Sequence, residues 1–379
     1  MAALGRVIAE AIVQHYGRQE LLSRLADPFW FQSFGAVMGM DWHSSGITTS
    51  VIGALKRGLA PLQDELGIYV CGGRGAHSRR TPLELASMGE RTGLDAAPLI
   101  KTSRLVAKID NAVVQDGYDL YLHGFFASSD GDWCIVQQGM NPAVREARRY
   151  HWQSAGMTGF FDSPHAAIEG QNVGAIINLS DRDAASNRQA SLDLVRQGPD
   201  PLIAFLRQFT AHHPGTLDLF APDQPHLRMP AHHDVRAPDV DIKRLHRTLA
   251  AAADRGPKEF ADLLLTPGIG ARTVAAVAFV AEVIHGAPCR FRDPARFALA
   301  HGGKDGHPFP VPLKVYDETI GVLRHAIGRA RLGRYEALEA IRRLDEQARR
   351  IDNVSEGPSL DEYMAVEREH SPNYGGQCV

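Results

Sequence analysis

The chain of 379 residues is long for a single hydrophobic core, so two domains are expected. Its hydrophobic content of 44% and charged content of 22% are ordinary for a soluble globular protein, and no apolar run is long enough to span a bilayer. The start of the chain lacks a secretory pattern, and the four cysteines form no C-x-x-C pair, which argues against a disulfide framework and a cysteine zinc site. We therefore expect a cytoplasmic protein with no membrane partner.

The net charge of −3 conceals two segments of opposite charge. Residues 241–350 carry 19 basic and 13 acidic residues, whereas residues 351–379 carry one arginine and six acidic residues. The acidic tail has few large apolar side chains and is predicted to be disordered. The basic segment is suited to a partner that contains phosphate.

Residues 1–211 predict a mixed α/β domain that is a candidate for catalysis. Helical spacing of apolar residues covers residues 1–25 and 103–121. Two apolar runs around residues 128–132, with an Asp-Gly pair between them, predict a β-hairpin. Short buried strands that alternate with helices indicate the mixed class.

A glycine-rich basic loop follows the short strand Leu66–Cys71 and leads into a helix with Thr81 as its cap and Glu84 closing a capping box. Strand, basic loop and helix N-terminus together form a candidate phosphate cradle, although a solvated surface loop explains the pattern equally well. The sequence matches neither the P-loop nor the dinucleotide fingerprint, so nucleotide binding is not implied. The candidate phosphate-binding residues are Gly73, Arg74, His77, Arg79 and Arg80.

Residues 212–238 are rich in proline and histidine and are predicted to be a linker. Within them, His232-His233-Asp234 is a weak candidate for metal binding, because adjacent histidines point apart in most backbone conformations. The following segment, residues 239–350, is predicted to be an all-α domain.

The most informative stretch of that second domain is Pro267-Gly268-Ile269-Gly270. A short helix ends before the proline, and a helix of small apolar residues follows the second glycine. Glycines allow a close approach to backbone N–H groups at the start of the second helix, where a phosphate is favoured. The pattern resembles the helix-hairpin-helix module of DNA repair and recombination proteins, which implies that it grips the sugar-phosphate backbone without strong sequence specificity. The competing interpretation is a glycine turn between two core helices.

Further basic residues after the second helix extend this predicted surface. The nucleic-acid-binding candidates are Pro267, Gly268, Ile269, Gly270, Arg272, Thr273, Arg290, Arg292, Arg296 and Lys304.

Several polar motifs spread over nearly the whole chain carry a family resemblance. They are Asp41-Trp42-His43-Ser44-Ser45-Gly46, Val114-Gln115-Asp116-Gly117-Tyr118, Val136-Gln137-Gln138-Gly139-Met140-Asn141, Arg148-Arg149-Tyr150-His151-Trp152, Met229-Pro230-Ala231-His232-His233 and Gly302-Gly303-Lys304-Asp305-Gly306-His307-Pro308. Together they resemble the bacterial and archaeal family catalogued as domain of unknown function seven hundred and sixty-three. The resemblance implies no activity. Residues 267–303 also look like the C-terminal part of a class of bacterial transposases that use the same hairpin module.

Two functions fit these features. The first is a metal-dependent DNA nuclease of repair or recombination, in which Mg²⁺ or Mn²⁺ and a positioned water cleave the phosphodiester bond. Its candidate catalytic residues are Asp41, His43, Asp110, Asp116, His123 and His151, of which Asp41, His43 and Asp116 are the candidate metal ligands.

The alternative is a non-catalytic DNA-binding or architectural factor whose first domain forms a homo-oligomer or recruits a partner. A small-molecule enzyme that uses the basic loop fits less well, because it leaves the glycine hairpin unexplained.

Overall fold

The computed structural model describes residues 1–40, 44–212, 242–295, 321–328, 335 and 337–344, with the side chains of residues 207–212 left aside. The N-terminal region is a mixed α/β structure with an antiparallel sheet and much helix, as predicted. Within the described residues, no helix is long and apolar enough to cross a membrane. Up to residue 295 the α-helices are α1 (Ala2–Tyr16), α2 (Arg18–Ala26), α3 (Pro28–Val37), α4 (Ile47–Leu59), α5 (Gln63–Leu66), α6 (Thr81–Thr92), α7 (Ala97–Lys108), α8 (Ala185–Arg196), α9 (Pro199–His212), α10 (Ile242–Asp254), α11 (Phe260–Leu264) and α12 (Ala271–His285). Residues 321–328 and 337–344 are also helical.

The main sheet has five antiparallel strands in the order β1-β3-β4-β5-β6. A separate two-stranded sheet joins β2 to β7. The strands are β1 (Ile68–Arg74), β2 (Val114–Gln115), β3 (Asp119–Ser128), β4 (Trp133–Asn141), β5 (Glu146–Gln153), β6 (Ala167–Glu169) and β7 (Ile177–Asn178).

Both faces of the main sheet are buried, each in its own apolar core. Successive side chains of a strand point to opposite faces, so Leu122 and Phe126 of β3 enter one core and Phe125 and Ala127 enter the other. Helices α1 to α4 supply the first core, which we call the N-terminal core. Helices α6 to α12 supply the second, which we call the C-terminal core. The glycine hairpin and its helices therefore share one apolar interior with the sheet.

The predicted hairpin around residues 128–132 is confirmed. Ala127 pairs with Trp133, and the Ser128 amide donates to the carbonyl of Asp132 at 2.8 Å. Gly131 takes a positive φ of 92°, which accounts for glycine at that position of the turn.

The predicted single helix over residues 1–25 is wrong, because Gly17 adopts a positive φ of 92° and separates α1 from α2. The predicted helix over residues 103–121 is wrong beyond Lys108. There α7 continues into one π-helical turn, Ile109–Val113, and the chain then becomes the short strand β2. A π-turn widens the helix by one residue per hydrogen bond, so it rotates the side chains that follow out of helical phase.

The predicted capping box at the start of α6 is also wrong. The Thr81 hydroxyl donates to the carbonyl of Ser78 at 2.8 Å. The Glu84 carboxylate accepts from the Gly72 amide at 2.7 Å and from Lys56 Nζ at 2.7 Å. Glu84 therefore fixes β1 to α4 and α6.

Gly72 offers a test of the close backbone approach between β1 and β3. It has a φ of +84°, and a Cβ built on it would lie 2.2 Å from the His123 carbonyl oxygen. We expect Gly72→Ala to lower the free energy of unfolding by about 3 kcal/mol, because the left-handed φ and the backbone clash add. The measurement is urea denaturation. The control is Gly75→Ala, where φ is +60° and no heavy atom lies within 4 Å of the new Cβ, so that only the conformational penalty of about 1 kcal/mol is expected. Equal losses for the two variants would contradict the proposed clash.

Candidate functional site

A row of polar side chains crosses the sheet on its C-terminal-core face. Gly73, His123, Gln137, Tyr150 and Ile168 stand opposite one another on the five strands. Three of these five side chains are polar although the face is buried. Buried polar groups must find hydrogen-bond partners, and His123 and Gln137 find them in α7 and the π-turn.

Four buried side chains, two of them from this row, form a continuous hydrogen-bonded chain. Ser103 Oγ lies 2.9 Å from His123 Nε2, and His123 Nδ1 lies 2.6 Å from Gln137 Oε1. The Gln137 amide nitrogen in turn donates to the Asp110 carboxylate. Because an amide oxygen only accepts, His123 carries its hydrogen on Nδ1 and accepts at Nε2 from the serine hydroxyl. Burial lowers the pKa of His123, which keeps the ring neutral.

Asp110 is the hub of this chain, and its side chain is fully buried. Besides Gln137, the indole nitrogen of Trp152 donates to it at 2.9 Å and His165 Nε2 donates at 2.6 Å. The His165 ring also packs on Trp152, with centroids 4.1 Å apart. Three donors on one carboxylate hold it in a single orientation. We call Ser103, Asp110, His123, Gln137 and His165 the Asp110 network.

A second buried system surrounds Arg148 of β5. Its guanidinium donates to Asp116 at 2.8 Å and to Asp293 at 3.0 and 2.6 Å, and it lies 4.5 Å from the centre of the Tyr118 ring. Tyr150 also donates to Asp116, at 2.6 Å. Burial raises the pKa of the Asp116 carboxyl, and the attraction of Arg148 opposes that shift. Removing one member of such a buried ion group leaves uncompensated charge and costs about 3–5 kcal/mol.

The opposite face of the sheet carries Arg149 and His151. The Leu25 carbonyl accepts from His151 Nδ1 at 3.2 Å, and Arg149 Nε donates to His151 Nε2 at 2.9 Å. Arg149 also binds Gln32 at 3.0 Å and pairs with Glu169 at 3.4 Å. Burial, followed by the neighbouring guanidinium, holds the pKa of His151 well below its ordinary value. His151 is thus on the other side of the sheet from Asp110, Asp116 and His123.

The glycine stretch forms a tight loop between α11 and α12. The Ile269 amide donates to the Thr266 carbonyl at 3.2 Å, and Gly268 has a φ of +89°. Pro267 and Gly268 are exposed, whereas the Ile269 side chain is buried and anchors the loop in the core. A Cβ built on Gly270 would meet no heavy atom within 4 Å, and Gly270 has an extended backbone. The first turn of α12 is therefore open to approach from outside.

Two side chains that flank the π-turn hold this loop. Lys108 Nζ donates to the Ile269 carbonyl, and the Gln115 amide donates to the Ala271 carbonyl at 3.0 Å. Partial burial lowers the pKa of Lys108. Asp110 lies between the two in sequence, so residues 108–115 bind the loop and also contribute Asp110 to the Asp110 network.

The chain after α12 folds back along that helix. Cys289 Sγ lies 3.7 Å from the Ala278 carbonyl oxygen, and Asp293 reaches Arg148. Arg148 binds both Asp116 and Asp293. Gln115, the residue before Asp116, binds the Ala271 carbonyl, so residues 115 and 116 connect the start of α12 with the segment that follows it. Arg292 is exposed beside Asp293, whereas Arg290 pairs with Asp181 at 3.6 Å.

The predicted phosphate loop is a 3₁₀ turn, Gly75–Arg80, between β1 and α6. Arg74, His77, Arg79 and Arg80 are exposed on it, and the Arg74 guanidinium lies 5.7 Å from the Tyr121 ring centre. The turn thus presents its basic side chains to solvent, and Gly73 lies at its base.

The structure distributes the remaining predicted site residues as follows. Arg272 is exposed and Thr273 half-buried on the first turn of α12. Asp41, His43, Arg296 and Lys304 lie outside the described residues, so the predicted metal set of Asp41, His43 and Asp116 is represented only by Asp116. Among the described residues no group of three or more His, Cys, Asp or Glu side chains is placed to hold a metal ion.

Sequence reasoning missed most partners of these groups. Gln137 and Trp152 come to Asp110 through the register of β4 and β5, and His165 comes from the segment before β6. Arg148 and Asp293 are 145 residues apart. One feature of the sequence could have indicated these contacts: several polar residues lie within strands whose other residues are apolar and predicted to be buried.

These features define a class: an α/β protein whose antiparallel sheet lies between two helical layers and carries buried polar systems on both faces. The model of one family, described as a protein of unknown function (DUF763), matches residues 1–311. The chain belongs to that family, which confirms the resemblance of its motifs. Neither the curated proteins nor the solved structures contain a match to it.

His151 generates a prediction about pH. An unfolded histidine has a pKa of about 6.5, and the folded value of His151 lies well below it. The unfolded state therefore takes up a proton first as the pH falls. The stability contributed by the neutral ring is complete above about pH 6.5 and is lost below it, by up to about 1.4 kcal/mol per pH unit.

We expect His151→Gln, which keeps one donor and one acceptor, to flatten the fall in unfolding free energy between pH 6.5 and 5. Urea denaturation at closely spaced pH values measures this. His285→Gln, at an exposed position, is the control and should follow the parent profile. Parallel profiles for parent and His151→Gln would contradict the prediction.

Proposed function

We propose that this protein binds DNA through the sugar-phosphate backbone, as a factor of repair or recombination, and that residues 265–273 are the contact. The single observation that supports the proposal is the open first turn of α12 beside Gly270. The amides of a first helical turn have no partner within the helix, and the helix dipole adds positive potential there. Both favour a phosphate oxygen.

The shape of the loop supports the same partner. The two residues at the tip, Pro267 and Gly268, present little side chain, so a polymer backbone can approach the amides closely. The loop is held from behind by Lys108 and Gln115, and Ile269 is buried. A preorganised loop pays little ordering entropy on binding. In this proposal α10 to α12 form the helix-hairpin-helix part, and the predicted all-α C-terminal domain shares the C-terminal core with the sheet.

Charge near the loop has the required sign. Arg272 is exposed on the first turn of α12, and Arg292 is exposed on the segment that returns beside it. Contacts of this kind neutralise phosphates and release counterions, so binding weakens as salt rises. They carry no base information, so strong sequence specificity is not expected.

Gly270→Val tests this proposal without disturbing the fold. The backbone at position 270 is extended, and a Cβ there would meet no heavy atom within 4 Å. The valine side chain would nevertheless cover the first turn of α12. We expect the affinity for duplex DNA to fall by about tenfold or more, which corresponds to about 1.4 kcal/mol of binding free energy. Fluorescence anisotropy at 50 and 150 mM salt measures this change.

The matched control is Gly159→Val, another glycine without a positive φ whose Cβ would meet nothing within 4 Å. It should bind as the parent does. Unchanged affinity of Gly270→Val, with both variants retaining the parent's melting temperature, would overturn the assignment of the loop to DNA.

The second candidate function is the metal-dependent nuclease, and the Asp110–His165 pair favours it. Asp110 accepts from His165 Nε2, so Nδ1 is the other ring nitrogen, the one that is left to accept a proton. Among the described residues Nδ1 has no hydrogen-bond partner. A carboxylate-oriented imidazole of this kind suits a general base that activates water. The pair is linked to the loop through the π-turn.

In this second proposal Mg²⁺ or Mn²⁺ supplies charge neutralisation and a bound water, and Asp41, His43 and Asp116 are the proposed ligands. Both oxygens of Asp116 already accept hydrogen bonds, from Tyr118, Arg148 and Tyr150. A metal at Asp116 would therefore share the carboxylate with these three donors. If no cleavage exists, the alternative is a non-catalytic factor whose first domain forms a homo-oligomer or recruits a partner.

Incubation of supercoiled plasmid and single-stranded DNA with Mn²⁺, Mg²⁺ or chelator tests the nuclease. We expect nicking only with metal, and a loss of at least about 100-fold in rate for His165→Gln, which keeps the donor to Asp110 but removes the base. Asp41→Ala should lose activity as well, and His285→Gln should retain it. Nicking in the presence of chelator, or an unchanged nicking rate for His165→Gln, would contradict this mechanism. Binding without any nicking would favour the non-catalytic alternative.

A further inference from the structure

Helix α10 lies beside the glycine loop and has a basic outer face. A Cβ built on Gly268 would lie 3.3 Å from both Cγ2 and Oγ1 of Thr248. Thr248 is half-buried, so its side chain forms part of the rim around the exposed tip of the loop. The loop thus has a helix next to it in addition to α12.

The orientation of α10 follows from its sequence. Leu245, Leu249 and Ala252 are buried against the C-terminal core, so the opposite side of the helix faces solvent. Arg244 precedes Thr248 by one helical turn, about 6 Å along the axis, and therefore lies on the same flank as Thr248. Arg247 is adjacent on the solvent side, and both arginines are exposed.

The charge of this face is one-sided. Residues 242–256 contain four basic residues and one acidic residue. On α11, Glu259 and Asp262 both face Lys101, at 3.4 and 3.7 Å, so one cation opposes part of their charge. On α9, Asp200 lies 3.2 Å from His246 of α10. On α10 itself the basic residues outnumber the acidic one, so the helix attracts a polyanion bound at the loop.

We propose that Arg244 and Arg247 of α10 form a second phosphate-binding surface, which contacts the DNA backbone next to the phosphates held by the glycine loop. This inference rests on the proposed function, and it extends the interface to a helix that precedes the hairpin. The partner is duplex DNA, since its regularly spaced phosphates can engage the loop and the helix together. Arginine suits this role because its planar guanidinium binds phosphate oxygens in pairs.

The test is the salt dependence of binding to a 20-base-pair duplex, measured by fluorescence anisotropy between 50 and 250 mM salt. We expect Arg244→Ala/Arg247→Ala to weaken binding five- to fiftyfold at 100 mM salt. It should also reduce the slope of log affinity against log salt by about two, because each phosphate contact contributes about 0.9. Arg244→Lys/Arg247→Lys should keep most of the slope.

The control is Arg6→Ala/Arg57→Ala, which removes two arginines from α1 and α4 on the other side of the sheet. It should leave the slope within about 0.3 of the parent value. A parent-like slope for Arg244→Ala/Arg247→Ala, together with weak binding by Gly270→Val, would overturn the role of α10 and leave the loop proposal standing. No binding by the parent protein would overturn both. Equal losses in the control and test variants would show a general charge effect and overturn the local contact.

Discussion

The π-helical turn Ile109–Val113 is the constraint on which the rest of the structure depends. If α7 continued as a regular helix, Asp110 and Gln115 would both lie on that helix, and their directions would be set by 3.6 residues per turn. The wider turn instead ends α7 and starts β2, so that Asp110 enters the sheet face while Lys108 and Gln115 reach the loop before α12. Such turns occur often at functional sites, because they place side chains that a regular helix cannot place. Here the turn joins a buried hydrogen-bonded chain to an exposed loop.

Burial has a different consequence on each face of the sheet. On the C-terminal-core face, neutral donors and the Arg148 guanidinium surround carboxylates, and every described carboxylate oxygen of Asp110 and Asp116 accepts a hydrogen bond. On the other face, Arg149 is balanced by Glu169 and holds a neutral His151. Buried networks of this kind stabilise only when every member is present, because the low dielectric penalises each orphaned group. They also fix a unique strand register, since a slip of one residue would exchange the two polar sets.

Local signals predicted the parts of the fold that local chemistry decides. The Asp130-Gly131 turn defines the hairpin of β3 and β4. The loop around Gly268 follows from Pro267 and the two glycines, which end one helix and precede the next. Helical spacing failed beyond Lys108, because Ile109, Val113 and Leu120 keep a helix-like period although they lie in the π-turn and in β3. The partners of the candidate site residues could not be predicted for a different reason. His165 and Asp293 lie outside the strands and contact Asp110 and Arg148 only in the folded chain, and spacing in one sequence contains no information about those contacts. Polar residues were identified as candidates, but their partners and the face of the sheet that each occupies were not.

Helix α12 is buried from Val274 to Glu282 around its circumference, unlike a surface helix with one apolar stripe. Its cover comes from α8 through Asn187, which donates to the Ala278 carbonyl at 2.9 Å, and from the π-turn and α9. A fragment that began near residue 239 would separate α12 from this cover and leave an apolar rod in water. The glycine loop is therefore not a portable module in this protein: it is the outer end of a helix that belongs to the common core, and its rigidity depends on residues more than 150 positions earlier in the chain.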